Sequence, residues 1–130
     1  MSRDAFFDRL PNVMAADAVR ALEAFCTEPT GLSAYFTGTN KGDLRVRLIR
    51  AGRTIFTATY QTQNQQFLCR AYCIPATIAA LGIPHERVGT PANPDEPQRS
   101  EFRLTPEEFS AHLLEVVLAA AVSFMLEHTA

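Results

Sequence analysis

The last stretch of the chain, residues 105–130, constrains the fold most, because it reads as a single helix with more apolar surface than one partner can cover. Its start is well marked. Thr105 can act as N-cap, Pro106 suits the first helical turn, and Glu108, three residues after the cap, completes a capping box. Glu107 and Glu108 lie at the positive end of the helix dipole. At about 100° per residue, Phe109, Leu113, Val116, Val117, Ala120 and Phe124 form one apolar face. A second set, Leu114, Leu118, Ala121, Val122 and Met125, occupies the adjoining side. Only Glu108, His112, Glu115 and Ser123 make a polar strip.

A sheet of the same chain can cover one of these faces. The other needs a second cover, since apolar surface left in water costs roughly 25 cal/mol per Å². Contact with another polypeptide is the expectation, and cover by the first helix of the chain is the alternative. No membrane partner is expected. Glu115 interrupts the apolar run, and the longest unbroken stretch, 116–122, falls far below the ~20 residues needed to cross a bilayer.

With 130 residues, 47% of them hydrophobic and 20% charged, the chain is expected to form one domain over 1–130 that buries a core without disulfides. A net charge of −2 offers no overall attraction for nucleic acid or anionic lipid. Residues 1–7 lack a long apolar run, and Asp4 within them and Asp8 just after them carry charge, so no signal peptide is expected. Cys26, Cys69 and Cys73 are an odd number and read as reduced thiols of a cytoplasmic protein.

Ahead of the terminal helix, residues 4–10 suggest a short helical lead-in stopped by Pro11. Asn12 then caps a helix to about Cys26 with an apolar stripe of Val13, Ala16, Val19, Leu22 and Cys26. Asp17, Arg20 and Glu23 line its polar side at steps that allow charge pairs. Pro29 and Gly31 end it. Strands are predicted over 32–37, 43–50, 53–61 and 66–74, joined by turns at 38–42, Ala51-Gly52 and Gln63-Asn64. Alternation puts Leu44, Val46 and Leu48 opposite Arg45 and Arg47, and Phe67, Cys69, Ala71 and Cys73 opposite Leu68, Arg70 and Tyr72. A short helix over 75–81, a Pro-rich surface loop at 83–100 and a brief strand over 102–104 complete the reading. The expected fold is α+β: an antiparallel sheet of about four to five strands in meander order, flanked by an N-terminal helix and the long C-terminal one.

Few residues suggest chemistry. Arg45, Arg47 and Arg70, with Tyr72, would suit a sheet face that grips phosphates and stacks a base. The same pattern is what any solvated sheet face shows. Cys69 and Cys73, four apart on a strand, would lie about 13 Å apart, too far to bridge or share a metal. His112 and Glu115 read as a helix-surface pair. No P-loop, nucleophile elbow or paired-carboxylate motif is present, and no cofactor is expected. A further alternative is an enzyme or a ligand-binding domain with a pocket between the sheet and the terminal helix, lined by Tyr60, Tyr72 and His112.

The segment Gly42-Asp43-Leu44-Arg45-Val46-Arg47-Leu48, followed by Leu104-Thr105-Pro106-Glu107-Glu108-Phe109, resembles the YbjN-like family, itself similar in fold to type III secretion chaperones. The resemblance implies a small acidic α+β domain that dimerises and binds partner polypeptides. It departs in the middle, where family members carry a well-defined second helix, and it carries over no functional residue. The expectation is therefore a non-enzymatic chaperone-like or adaptor protein, homodimeric through the terminal helix or a sheet edge, that binds a partner protein through Leu114, Leu118, Ala121, Val122 and Met125. Nucleic-acid binding through the arginine face is the alternative.

Overall fold

The computed structural model describes residues 2–38, 42–84, 88–89 and 99–128. It opens with α1 (Ser2–Arg9) and α2 (Val13–Phe25), where the Asn12 side chain accepts a hydrogen bond from the Ala15 amide as the sequence predicts for an N-cap. A 3₁₀ turn, Glu28–Thr30, follows, and Gly31 at φ 75° lets the chain leave it in the left-handed conformation. The strands are β1 (Leu32–Thr37), β2 (Asp43–Leu48), β3 (Arg53–Gln61) and β4 (Gln66–Ala71). After α3 (Pro75–Ala79) come β5 (Val88–Gly89), β6 (Ser100–Leu104) and α4 (Pro106–His128).

The fold is α+β. Six antiparallel strands lie in the order β1-β2-β3-β4-β6-β5, so the first four form the expected meander and β6 joins beside β4. Two expectations about the middle of the chain are corrected. The loop expected over 83–100 instead contributes β5 and buries Ile83; its residues 85–87 and 90–98, like 39–41 of the predicted turn, lie outside the described residues. The fourth strand also stops at Ala71 rather than running to 74, and the chain bends at Tyr72 and Cys73. Buried Ser100 secures this bend by donating a hydrogen bond to the Cys73 carbonyl.

α1 packs on β1 and β2, α4 crosses β3, β4 and β6, and α2 lies beside α4. The strands bury Leu44, Val46, Phe56, Ala58, Tyr60, Phe67, Cys69, Ala71, Phe102 and Leu104. A bulge after Val46 shifts the pairing from Phe56 to Thr54, and Ile55, the extra residue, is buried as well. The stripe on α2 is rotated from the predicted one. Ala15, Val19 and Leu22 face inward while Val13 is exposed, because Ala15, not Val13, stands four residues before Val19. Asp17 pairs with Arg20 at 3.3 Å, but Glu23 reaches Arg3 at 2.9 Å and so ties α2 to α1.

The terminal helix starts with a reciprocal capping box. The Thr105 amide donates to Glu108 at 2.9 Å, and the Glu108 amide donates to Thr105 Oγ1 at 3.2 Å. One turn on, Phe109 stacks on Phe67 with ring centroids 3.7 Å apart, and the Tyr60 ring lies tilted against Phe67 at 4.8 Å. At the far end, Phe124 meets Tyr72 edge-on at 5.1 Å. Between them Leu113, Val116, Val117 and Ala120 are buried. Removing an aromatic ring from such a site costs about 3–5 kcal/mol, while a change at an exposed position stays within about 0.5. Urea unfolding should therefore show a large loss of stability for Phe109→Ala and almost none for Val122→Ala.

Candidate interaction surface

The outer face of α4 is open. Leu114 and Leu118 are each 38% exposed, Val122 53%, Met125 54% and Leu126 69%. Ala121, grouped with them in the sequence reading, is buried at 7% exposure. It stands at the edge of the stripe, and its single methyl group is reached by the core. The alternative of cover by the chain's own first helices fails for the rest, since α2 packs against α4 and still leaves these side chains in solvent. From Leu114 to Met125 the stripe runs about 16 Å along the helix axis.

Sequence reasoning missed two parts of this surface. Leu126 lies further around the helix than the stripe drawn through 114–125, so the facial pattern did not include it. The second part is a groove of about 290 Å³ lined by Thr30, Gly31, Leu48, Arg50, Ala51, Phe124 and Met125. No local pattern signals it, because three separated segments build it. Met125 belongs to both groove and stripe, so the two form one continuous apolar surface. Ile49, on the same hairpin, is 43% exposed.

The open face of the sheet is polar. Arg45 donates to Thr37 at 2.9 Å, Arg70 pairs with Glu101 at 3.1 Å, and Arg103 reaches Gln61 at 3.4 Å. Arg47 lies 5.5 Å over the Tyr35 ring, and Asp43 accepts a hydrogen bond from Thr59. A shallow depression of about 140 Å³ brings Arg45 and Arg70 together with Asp43, Thr57, Thr59 and Leu68. Tyr72 is not there. It is buried against Phe124, with the Arg53 and Arg99 guanidinium groups 5.6 and 5.7 Å from its ring. The bend after β4 turns it away from the face that alternation assigned to it.

The remaining candidates do not converge. Tyr60 sits near Phe109 through Phe67, and Tyr72 sits on Phe124. Fifteen residues of helix put these two ends about 22 Å apart, so they line no common pocket. His112 Nδ1 lies 3.4 Å from Glu115 Oε1, the helix-surface pair that the spacing predicts. Among the described residues no three His, Cys, Asp or Glu side chains gather as metal ligands. Over 106–126 the helix is long and apolar enough to span a membrane by length and composition, at a mean hydropathy of 1.9. In this structure its inner face belongs to the core.

Compared with protein-family models, with curated proteins and with solved structures, the chain matches none of them at a significant level.

Burial raises all three thiols. Burial pushes Cys73 up to about 11 and, with Glu23 nearby adding to it, Cys26 up to about 11 as well; burial raises Cys69 further still. Because the thiolate is the reactive form, a raised value suppresses attack at neutral pH. Iodoacetamide should label the folded protein slowly at pH 8. The rate at Cys26 should keep climbing toward pH 11, whereas a titration centred near 8.5 would contradict the buried placement.

Proposed function

We propose that the protein is a non-enzymatic chaperone-like or adaptor protein, a homodimer that binds a partner polypeptide along the outer face of α4. The observation that carries this reading is the continuous apolar surface formed by Leu114, Leu118, Val122, Met125 and Leu126 with the adjoining groove. Burying what remains exposed of such side chains stabilises a complex by about 1 kcal/mol each. Summed over the stripe, that is enough to hold an apolar segment. A straight stripe on one helix suits the apolar side of a partner's helix laid alongside it. Glu107 and Glu115 on the exposed part of α4 favour a partner segment with basic flanks.

Nucleic-acid binding is the weaker reading. Arg45 and Arg70 are engaged by Thr37 and Glu101, Asp43 and Glu101 place negative charge among the arginines, and the aromatic platform expected at Tyr72 is buried. These contacts weaken counterion release, and stacking on this face would fall to Tyr35, under Arg47, rather than to Tyr72.

A photo-activatable side chain installed at position 118 should crosslink a discrete polypeptide in cells, and the same group at position 57 on the open sheet face should not. Leu118→Glu should abolish the complex with the fold intact. Equal crosslinking from both positions, or unchanged binding by Leu118→Glu, would overturn the proposal. Binding to single-stranded DNA or RNA should be absent at low salt; a steep salt-dependent affinity would instead favour the arginine face.

A further inference from the structure

We infer that the homodimer forms through the free edge of β1, which pairs antiparallel with β1 of a second copy and joins the two sheets into one. This rests on the homodimer half of the reading above and leaves the outer face of α4 to the partner.

The direction of the backbone groups follows from one hydrogen bond. The Ile49 amide donates to the Gly31 carbonyl at 2.9 Å, and the register pairs Leu32 with Leu48, Ser33 with Arg47 and so on to Thr37 with Asp43. Residues 31, 33, 35 and 37 therefore point their amides and carbonyls toward β2. Those of Leu32, Ala34 and Phe36 point away from the sheet. Leu32 is covered, being 3% exposed, whereas Ala34 and Phe36 are only partly buried. Among the described residues their backbone groups meet no partner strand, because β1 is the outermost strand on this side.

Edge strands are commonly blunted by a charge, a proline or a bulge. The β1 sequence Leu-Ser-Ala-Tyr-Phe-Thr holds no charge and no proline, and its register with β2 is unbroken. The opposite edge, β5, is two residues long. Among the described residues, β1 is the edge that offers a strand-length template.

The strand is also complementary to itself. With a two-fold axis through Tyr35, Ala34 of one copy faces Phe36 of the other in two hydrogen-bonded pairs, giving four backbone hydrogen bonds. The large Phe36 ring then meets the small Ala34 methyl on the helix side. The two Tyr35 rings form a close non-hydrogen-bonded cross-strand pair on the open side. Ser33 faces Thr37, and no like charges meet across the axis. Phe7, which packs 6.1 Å from Phe36, lies beside the seam and adds apolar cover from α1.

Ala34→Pro removes an outward amide and leaves the β2 ladder intact, since proline is tolerated where the amide faces solvent. Native mass spectrometry and sedimentation should show a wild-type dimer. For Ala34→Pro the dimer dissociation constant should rise at least about 100-fold with an unchanged circular dichroism spectrum, whereas Leu118→Glu should remain dimeric. Amide exchange provides a second readout should Ala34→Pro fail to fold: in the wild-type dimer the Ala34 and Phe36 amides should be protected. A folded Ala34→Pro dimer of undiminished affinity, or fast exchange at both amides in the wild-type dimer, would overturn the inference. Loss of the dimer in Leu118→Glu alone would overturn it while keeping a homodimer built through α4. A wild-type monomer at every concentration would overturn the inference and the homodimer reading together. Protection that appears only on adding a partner polypeptide would assign the edge to that partner and overturn self-pairing.

Discussion

The packing of one strongly apolar helix across an antiparallel sheet is the interaction on which the remaining architecture depends. Phe109 on Phe67 at one end and Phe124 on Tyr72 at the other pin α4 over β3, β4 and the bend that follows β4. The valines and Leu113 between them close the gap. The capping box at Thr105 and Glu108 sets where this helix begins, and therefore which residues meet the sheet. A helix starting one residue later would be turned by about 100°, carrying the Leu114 and Leu118 side toward the strands. Two backbone-to-side-chain hydrogen bonds thus help decide which apolar face is buried.

That division leaves the protein with two different unfilled valences. The outer face of α4 is side-chain surface: apolar, non-directional and continuous with a groove beside the β2–β3 hairpin. The edge of β1 is backbone surface: directional, with register set by alternating amides and carbonyls. The first suits a partner recognised by shape and hydrophobicity. The second suits a symmetric contact whose geometry permits little choice. A chain that uses the edge for itself and the helix for another polypeptide presents two outer helix faces per dimer.

The layout of the fold was legible where local patterns are strong. Asn12, Thr105 and Glu108 marked helix starts, and the residue pattern located β1 and β3 end to end and the starts of β2 and β4, whose predicted ends at 50 and 74 overran Leu48 and Ala71. Strand ends were less legible because they depend on what the chain meets next. Ser100 captures the Cys73 carbonyl from 27 residues away, and β5 exists only because β6 is there to pair with it. The same limit applies to the candidate surface. The helical wheel identified Leu114, Leu118, Val122 and Met125, yet it placed Ala121 with them, since a wheel does not record how short a side chain is. Tyr72 was assigned to the arginine face by period-two alternation, and the bend at 72–73 turned it into the core. The groove left no trace in the sequence because its walls come together only after folding.

The most direct test of the central claim is the solvent accessibility of the α4 side chains in the purified protein, read from methyl resonances in the presence of a soluble paramagnetic agent. Strong broadening is predicted at Leu114, Leu118, Val122, Met125 and Leu126, and little at Leu113, Val116 and Val117, at high protein concentration as well as on dilution. Equal protection of both sets would contradict it, showing that the outer face of α4 is already covered without a partner.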